Sequence, residues 1–196
     1  MQPIALFGLS ADPPHLGHVA ILQWLANHVE LTFVWAVDNP LKPRQTSLEH
    51  RAAMLQKILP TAETIRYRPE LSRPYTLESV ELVEQEYPQV PLWLVIGSDL
   101  LSQVHQWHQA SVLAQKVELL VFPRPHTPLV PPQGNFRWHL ASCLPPEVSS
   151  SQLRQELRNR ACGKEKEIKT ANIPSAVKEY ITAHQLYLGR LSVAPD

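Results

Sequence analysis

The sequence predicts an α/β domain built on a doubly wound parallel sheet. Short β-rich apolar runs alternate along the chain with amphipathic segments, which is the pattern of parallel βαβ units. The run at residues 92–96, Leu-Trp-Leu-Val-Ile, is apolar on both faces, as expected of a central strand with helices on each side. The 196 residues, 44% of them apolar, suffice to fill one sizeable core.

The apolar runs predict five strands, at residues 4–8, 31–37, 64–68, 92–97 and 117–122, and residues 136–141 form a candidate last strand. Helical patterns between them cover residues 15–28, 47–59, 76–87 and 109–115. Ser47 is the predicted N-cap of the second helix. Two further helices are predicted at residues 150–160 and 174–184.

Nineteen prolines are the compositional oddity of the chain, and many lie at strand ends or in connections, where they stiffen loops. The Pro-rich segment at residues 124–134 is either a surface loop without function or a mobile lid. We expect a single domain over residues 1–188, whose C-terminal helical part covers about 149–188, and a frayed tail at 189–196.

Charge and targeting signals limit the classes of partner. Eighteen basic and eighteen acidic side chains balance to zero, which argues against nucleic acid and against an anionic membrane and favours a small-molecule partner. The first residues carry no basic segment of a signal peptide, and no apolar stretch approaches membrane-spanning length, so we expect a cytoplasmic protein. Two cysteines make no disulfide framework. The sequence is also compatible with assembly into a homo-oligomer.

The turn that leaves the first strand predicts a phosphate site. An apolar strand breaks at Gly8, and a helix starts near His15-Leu16-Gly17-His18, so the free N–H groups of the helix point into the gap. Gly17 lets a ligand or a neighbouring backbone approach, and the two histidines share one helix face. They can donate hydrogen bonds to phosphate oxygens and, if protonated, offset charge that builds up during transfer.

The same two histidines could instead lie on the surface or form half of a zinc site. A zinc site needs further ligands, but Cys143 and Cys162 are widely separated, and no other histidine lies at a ligand-like interval from either. Metal ligation by the histidines is therefore disfavoured, and we expect no metal held by the protein itself.

A second signal is the run Val148-Ser149-Ser150-Ser151-Gln152-Leu153-Arg154, in which three hydroxyls precede an amphipathic helix. Serines there can cap the helix and bind phosphate, and Arg154 adds a planar fork that can clamp a polyphosphate. Together with His-x-Gly-His, this run resembles the nucleotidyltransferase superfamily, whose members carry Gly-x-Phe-Asp-Pro-x-His-x-Gly-His early and Ile-Ser-Ser-Thr-x-x-Arg late. The resemblance implies a Rossmann-like nucleotidyltransferase fold.

Within that superfamily the chain is most similar to the bacterial nicotinate-nucleotide adenylyltransferases. The narrower match rests on Pro74-Tyr75-Thr76, on Ile96-Gly97-Ser98-Asp99 followed by Trp107, on Phe122-Pro123-Arg124-Pro125, and on the closing segment at 174–187. It implies adenylyl transfer from ATP to nicotinate mononucleotide, with release of pyrophosphate. A divalent cation, Mg²⁺, would be held mainly by ATP phosphates and water.

The resemblance also assigns residues to roles. His15 and His18 would stabilise the transferring α-phosphate. The expected ATP-binding residues are Gly8, Leu9, Ser10, His15, Gly17, His18, Gly97, Asp99, Arg124, Ser149, Ser150, Ser151 and Arg154. The expected residues for the mononucleotide are Lys42, Arg44, Tyr75, Thr76, Trp107 and His108, with the pyridine ring stacked on the indole of Trp107.

Two residues depart from the first motif, which in the superfamily usually begins Gly-Gly-Thr-Phe-Asp-Pro: Leu9 replaces the second of these glycines, and Ala11 replaces the phenylalanine. Leu9 must adopt a backbone conformation that a side chain tolerates, so both departures bear on the shape of the phosphate turn. Two alternatives stay open. One is a related transferase acting on nicotinamide mononucleotide or pantetheine phosphate, and the other is a nucleotide-binding sensor without turnover.

Overall fold

The computed structural model describes residues 2–38, 46–161 and 170–188. In these residues, six strands form one sheet: β1 Ile4–Leu9, β2 Leu31–Ala36, β3 Ile65–Tyr67, β4 Leu92–Gly97, β5 Val117–Phe122 and β6 Trp138–Leu140. The strand order is β3-β2-β1-β4-β5-β6, and every neighbouring pair is parallel. The predicted Rossmann-like, doubly wound parallel sheet is confirmed.

The helices are α1 Leu16–His28, α2 Leu48–Gln56, α3 Thr76–Glu86, α4 Ala110–Lys116, α5 Ser150–Ala161 and α6 Ser175–Ala183. The predicted helix at 47–59 is too long, because α2 ends at Gln56. Pro60 follows closely, and a residue before proline is pushed away from the helical conformation. The prediction also missed the short 3₁₀ turns, which are Pro69–Leu71, Ser98–Leu100, Val104–Gln106 and Thr170–Asn172.

The sheet is buried on both faces by two apolar clusters. Alternate residues of β1 divide between them: Ala5 and Phe7 face one cluster, and Ile4 and Leu6 face the other. Helices α1, α2, α5 and α6 contribute to the first cluster, whereas α3 and α4 contribute to the second. This arrangement accounts for the apolar runs on both faces of the central strands.

The topology brings three loops together at one edge of the sheet. Strands β1 and β4 are neighbours at the point where the strand order reverses, and β5 pairs with β4. The loops that leave the carboxyl ends of these strands therefore meet, which is where doubly wound sheets bind ligands. No helix in the described ranges is long and apolar enough to cross a membrane.

Candidate functional site

A cavity of about 170 Å³ lies where these loops meet. Its wall combines the start of α1, the ends of β4 and β5 with the segment after β5, and the segment that leads into α5. The sequence-predicted residues that line it are His15, Gly17, His18, Gly97, Arg124 and Ser149. Residues from four separate parts of the sequence therefore share one cavity.

His15 and His18 form a stacked pair at the start of α1. Their ring centroids are 3.8 Å apart, and the rings are inclined by 23°. The backbone N–H of His15 donates to Nδ1 of His18 at 3.2 Å. Because Nδ1 accepts this bond, a neutral His18 carries its proton on Nε2 and is a hydrogen-bond donor there.

Both histidines are neutral at physiological pH. Burial, assisted by the charge of Arg124, lowers the pKa of His15 to about 4. Burial, His15 and Arg124 hold the pKa of His18 well below its usual range. Of the two uses of imidazole considered from the sequence, the pair therefore supports hydrogen-bond donation and not a fixed positive charge.

Gly17 makes room for the His15 ring. A Cβ atom at this position would lie 3.0 Å from both Cε1 and Nδ1 of His15, and 3.4 Å from the carbonyl oxygen of Pro146. The sequence predicted a close approach to Gly17 by a ligand or by backbone, and in the structure an imidazole makes the closest approach. A side chain at this position would press against the His15 ring, which would have to move to make room.

Arg124 supplies a positive charge to the cavity. Its Nε lies 2.7 Å from Oδ1 of Asp99, and its backbone N–H donates to Oγ of Ser98 at 2.9 Å. The Arg124–Asp99 pair crosses the backbone of Gly97, where a Cβ atom would lie 2.6 Å from Nε of Arg124. The glycine of the Ile-Gly-Ser-Asp run therefore gives this ion pair its space.

The turn between β1 and α1 has its unusual backbone conformation at Ala11, not at Leu9. Ala11 has a φ angle of 51°, in the left-handed region. Leu9 remains in the strand and is buried in the core, 6% exposed. Gly8 packs against an aromatic ring, since a Cβ atom there would lie 2.8 Å from the indole of Trp35. Neither Gly8, Leu9 nor Ser10 lines the cavity.

The serines and the arginine of the second motif lie against this turn. Nη1 of Arg154 donates to the carbonyl oxygen of Asp12 at 2.5 Å, and Nη2 donates to Oγ of Ser151 at 3.1 Å. Oγ of Ser150 donates to the carbonyl oxygen of Pro13 at 3.0 Å. The two motifs are therefore joined directly, although Ser150, Ser151 and Arg154 do not line the cavity.

Of the described residues expected to bind the mononucleotide, none lies on the cavity wall. The rings of Tyr75 and His108 stack with centroids 4.1 Å apart, and Thr76 begins α3. Trp107 is partly buried against the apolar cluster of α3 and α4, and part of its indole remains exposed. Lys42 and Arg44 lie outside the described residues.

Sequence reasoning missed two residues that organise the site. Arg51 is 2% exposed and donates to the carbonyl oxygens of Ser10 and Val37 at 3.1 and 2.5 Å. The sequence contains a signal for the burial of Arg51, because its spacing places it on the same face of α2 as the buried Met54 and Leu55. Tyr187 gave no local signal, since the residue that it contacts, Asp12, is 175 positions away.

Comparison with known proteins identifies the family of the chain. A family model described as cytidylyltransferase-like matches residues 6–156. A protein of Synechocystis sp. named "Probable nicotinate-nucleotide adenylyltransferase" is 35% identical, with 94% of this chain and 98% of the relative covered. The Bacillus subtilis protein named nicotinate-nucleotide adenylyltransferase is 26% identical, with 95% and 99% covered.

A solved structure shares the fold. It is Plasmodium falciparum nicotinic acid mononucleotide adenylyltransferase complexed with NaAD, at 20% identity and a TM-score of 0.79, with 95% of this chain and 98% of that one covered. The resemblance predicted from the two motifs is thus confirmed over nearly the whole sequence. The chain belongs to the cytidylyltransferase-like family, together with the nicotinate-nucleotide adenylyltransferases.

Proposed function

We propose that the chain transfers the adenylyl group of ATP to nicotinate mononucleotide, forming nicotinate adenine dinucleotide and pyrophosphate in NAD biosynthesis. The observation that carries this proposal is the neutral His15–His18 pair on the cavity wall beside Arg124. The names and near-complete coverage of the relatives support the choice of substrates.

The reaction requires positioning and charge stabilisation more than a nucleophilic side chain. A phosphate oxygen of the mononucleotide attacks the α-phosphorus of ATP in line, and the bond from that phosphorus to the bridging oxygen of the β-phosphate breaks. Nε2–H of His18 is free to donate to the α-phosphate oxygens, because Nδ1 is occupied by the backbone. The start of α1 and the Arg124 guanidinium favour the developing negative charge.

The segment that enters α5 is our proposed site for the remaining ATP phosphates. Ser149 lines the cavity, and Ser151 and Arg154 lie immediately after it on α5. We propose that Gly8, Leu9 and Ser10 shape the backbone of the phosphate turn, and that Gly97 and Asp99 lie towards the nucleoside. Of these two, Asp99 already holds the guanidinium of Arg124.

A magnesium ion fits this site as a companion of the ATP phosphates. Within the described ranges, no group of three or more His, Cys, Asp or Glu residues could hold a metal. Glu147 is a carboxylate on the cavity wall. Mg²⁺ commonly keeps several waters and binds substrate phosphates through few protein ligands, so this donor set is compatible with it. When bound, the ion would neutralise phosphate charge.

The proposed mononucleotide residues are Tyr75, Thr76, Trp107 and His108, with Lys42 and Arg44 as further phosphate contacts. The stacked rings of Tyr75 and His108 and the partly buried indole of Trp107 offer flat surfaces that suit a pyridine ring.

A cytoplasmic location, a homo-oligomer and the single-domain boundary at residue 188 stay predictions.

Pyrophosphate release measured side by side with three acceptors tests the proposal. We expect nicotinate mononucleotide to give the highest kcat/KM, well above nicotinamide mononucleotide and pantetheine phosphate. Preference for either of the other acceptors would identify a related transferase. Binding of ATP without pyrophosphate release with any acceptor would identify a nucleotide-binding sensor and overturn the proposal.

A further inference from the structure

The phosphate turn is held by side chains from three separate elements. Arg51 of α2 donates to the carbonyl oxygen of Ser10, and Arg154 of α5 donates to that of Asp12. The third contact comes from the segment after α6, where the hydroxyl of Tyr187 donates to Oδ1 of Asp12 at 2.7 Å. This last contact ties the C-terminal part of the described chain to the turn after the first strand.

Asp12 takes part in two of these contacts, those from Arg154 and Tyr187. Its side chain is 1% exposed, and Nη1 of Arg154 lies 3.7 Å from its second carboxylate oxygen. A buried carboxylate needs partners that donate to it. The Tyr187 hydroxyl keeps its proton for donation to Asp12, because burial and the charge of Asp12 raise its pKa far above the usual range.

Both ends of the tyrosine–aspartate contact are near a strained backbone. Ala11, beside Asp12, has a φ angle of 51°, and Tyr187 itself has a φ angle of 64°. Residues with side chains rarely adopt such angles unless the surrounding structure fixes them. The turn, three residues before His15, therefore has a backbone conformation that its own sequence does not favour.

We propose that Tyr187 is a positioning residue for adenylyl transfer: its hydrogen bond to Asp12 fixes the turn that places the His15–His18 pair. The expected effect of Tyr187 on the reaction rate rests on the proposed function. The effect of the Tyr187–Asp12 hydrogen bond on the conformation of the turn does not depend on which reaction the site performs.

The test compares Tyr187→Phe with Tyr180→Phe. Tyr180 is a matched control, because its hydroxyl also makes one side-chain hydrogen bond, at 3.0 Å from Nδ1 of His50 on α2, and none of its hydrogen bonds among the described residues is to the turn. Each substitution removes one hydroxyl and keeps the ring. The measurements are kcat and KM for pyrophosphate release, amide hydrogen exchange of residues 10–18, and the melting temperature.

For Tyr187→Phe we expect kcat to fall about 10-fold with a smaller change in KM, because misplacement of reacting groups lowers the rate of the chemical step. Hydrogen exchange at residues 10–18 should become faster. Tyr180→Phe should keep both the wild-type kcat and the slow exchange. Equal effects of the two substitutions, or a lowered melting temperature with unchanged kcat and exchange, would overturn the inference.

Asp12→Ala removes the same hydrogen bond from its acceptor side and serves as the second variant. It should speed exchange at residues 10–18, and adding Tyr187→Phe should then lower kcat no further. Additive losses in the double variant would contradict a role through Asp12. If the wild-type protein releases no pyrophosphate, the proposed function fails, and hydrogen exchange alone decides whether Tyr187 fixes the turn.

Discussion

His18 is held as a directed donor by the backbone of its own helix start. The N–H of His15 occupies Nδ1, and the stacked ring of His15 limits rotation of the imidazole. A neutral donor of this kind stabilises negative charge that develops on a phosphate without changing its own protonation state. The pair therefore differs from a general acid–base histidine, which has to titrate near pH 7.

Removal of the His18 imidazole is expected to affect turnover more than binding. His18→Ala should lower kcat for pyrophosphate release by about 10² or more, since a transition-state donor is lost. The affinity for a non-hydrolysable ATP analogue, measured by calorimetry, should change less. His28→Ala, at the far end of α1, is the control and should keep the wild-type kcat. An unchanged kcat in His18→Ala would remove the proposed role.

The buried His15 makes folding stability depend on pH. Its pKa is about 4 in the folded chain against 6.5 in an unfolded one, so between these values only the unfolded chain binds the proton. This contribution is complete above pH 6.5 and is lost as the pH falls from 6.5 towards 4, by up to about 1.4 kcal/mol per pH unit.

We expect the free energy of unfolding in urea, compared at pH 7.5 and 5.5, to fall by about 1 kcal/mol more in the wild type than in His15→Gln. His18 contributes in the same direction. The same loss in His15→Gln as in the wild type would show that His15 is not buried in its neutral form.

At the scale of elements, hydrogen bonds from Arg51 connect α2 to the ends of β1 and β2. Its guanidinium donates to carbonyl oxygens after β1, after β2 and before α2. Arg51→Met keeps the apolar stem but leaves these three carbonyls without their donor. We expect a loss of about 3 kcal/mol in the free energy of unfolding, measured in urea.

Arg158→Met is the control for this substitution, because Arg158 is exposed on α5. Its free energy of unfolding should stay within about 0.5 kcal/mol of the wild-type value. A loss in Arg51→Met as small as in the control would mean that water replaces the guanidinium at these carbonyls.

At the scale of the whole molecule, the C-terminal helices and the sheet share one core. Leu153 of α5 and Val177 and Ile181 of α6 belong to the same buried cluster as Leu22 of α1. We therefore expect one cooperative unfolding transition, with far-ultraviolet circular dichroism and tryptophan fluorescence changing at the same urea concentration. Two separate transitions would show that the C-terminal helices unfold as a unit of their own.

The elements were predictable from the sequence because their signals are local. Strands β4 and β5 have the predicted bounds, since each is a continuous apolar run. The 3₁₀ turn Val104–Gln106 was missed, because a single turn has no periodicity to detect. Pro60 could have corrected the end of α2.

The site was predictable only in part. Two motifs with recognisable spacing predicted that His15, His18 and Ser149 meet, and all three line the cavity. The ion pair of Arg124 with Asp99 depends on how the loops after β4 and β5 approach each other. No spacing within either loop specifies that approach.

By itself, the sequence determined the fold class, the family and the two phosphate motifs, because apolar periodicity and short motifs depend only on residues that are close together in the chain. Only the tertiary structure decided that the histidines are neutral, that the strained residue is Ala11, and that Tyr187 reaches Asp12. Each of these depends on burial or on a contact between residues far apart in the chain. Such properties arise when the elements pack.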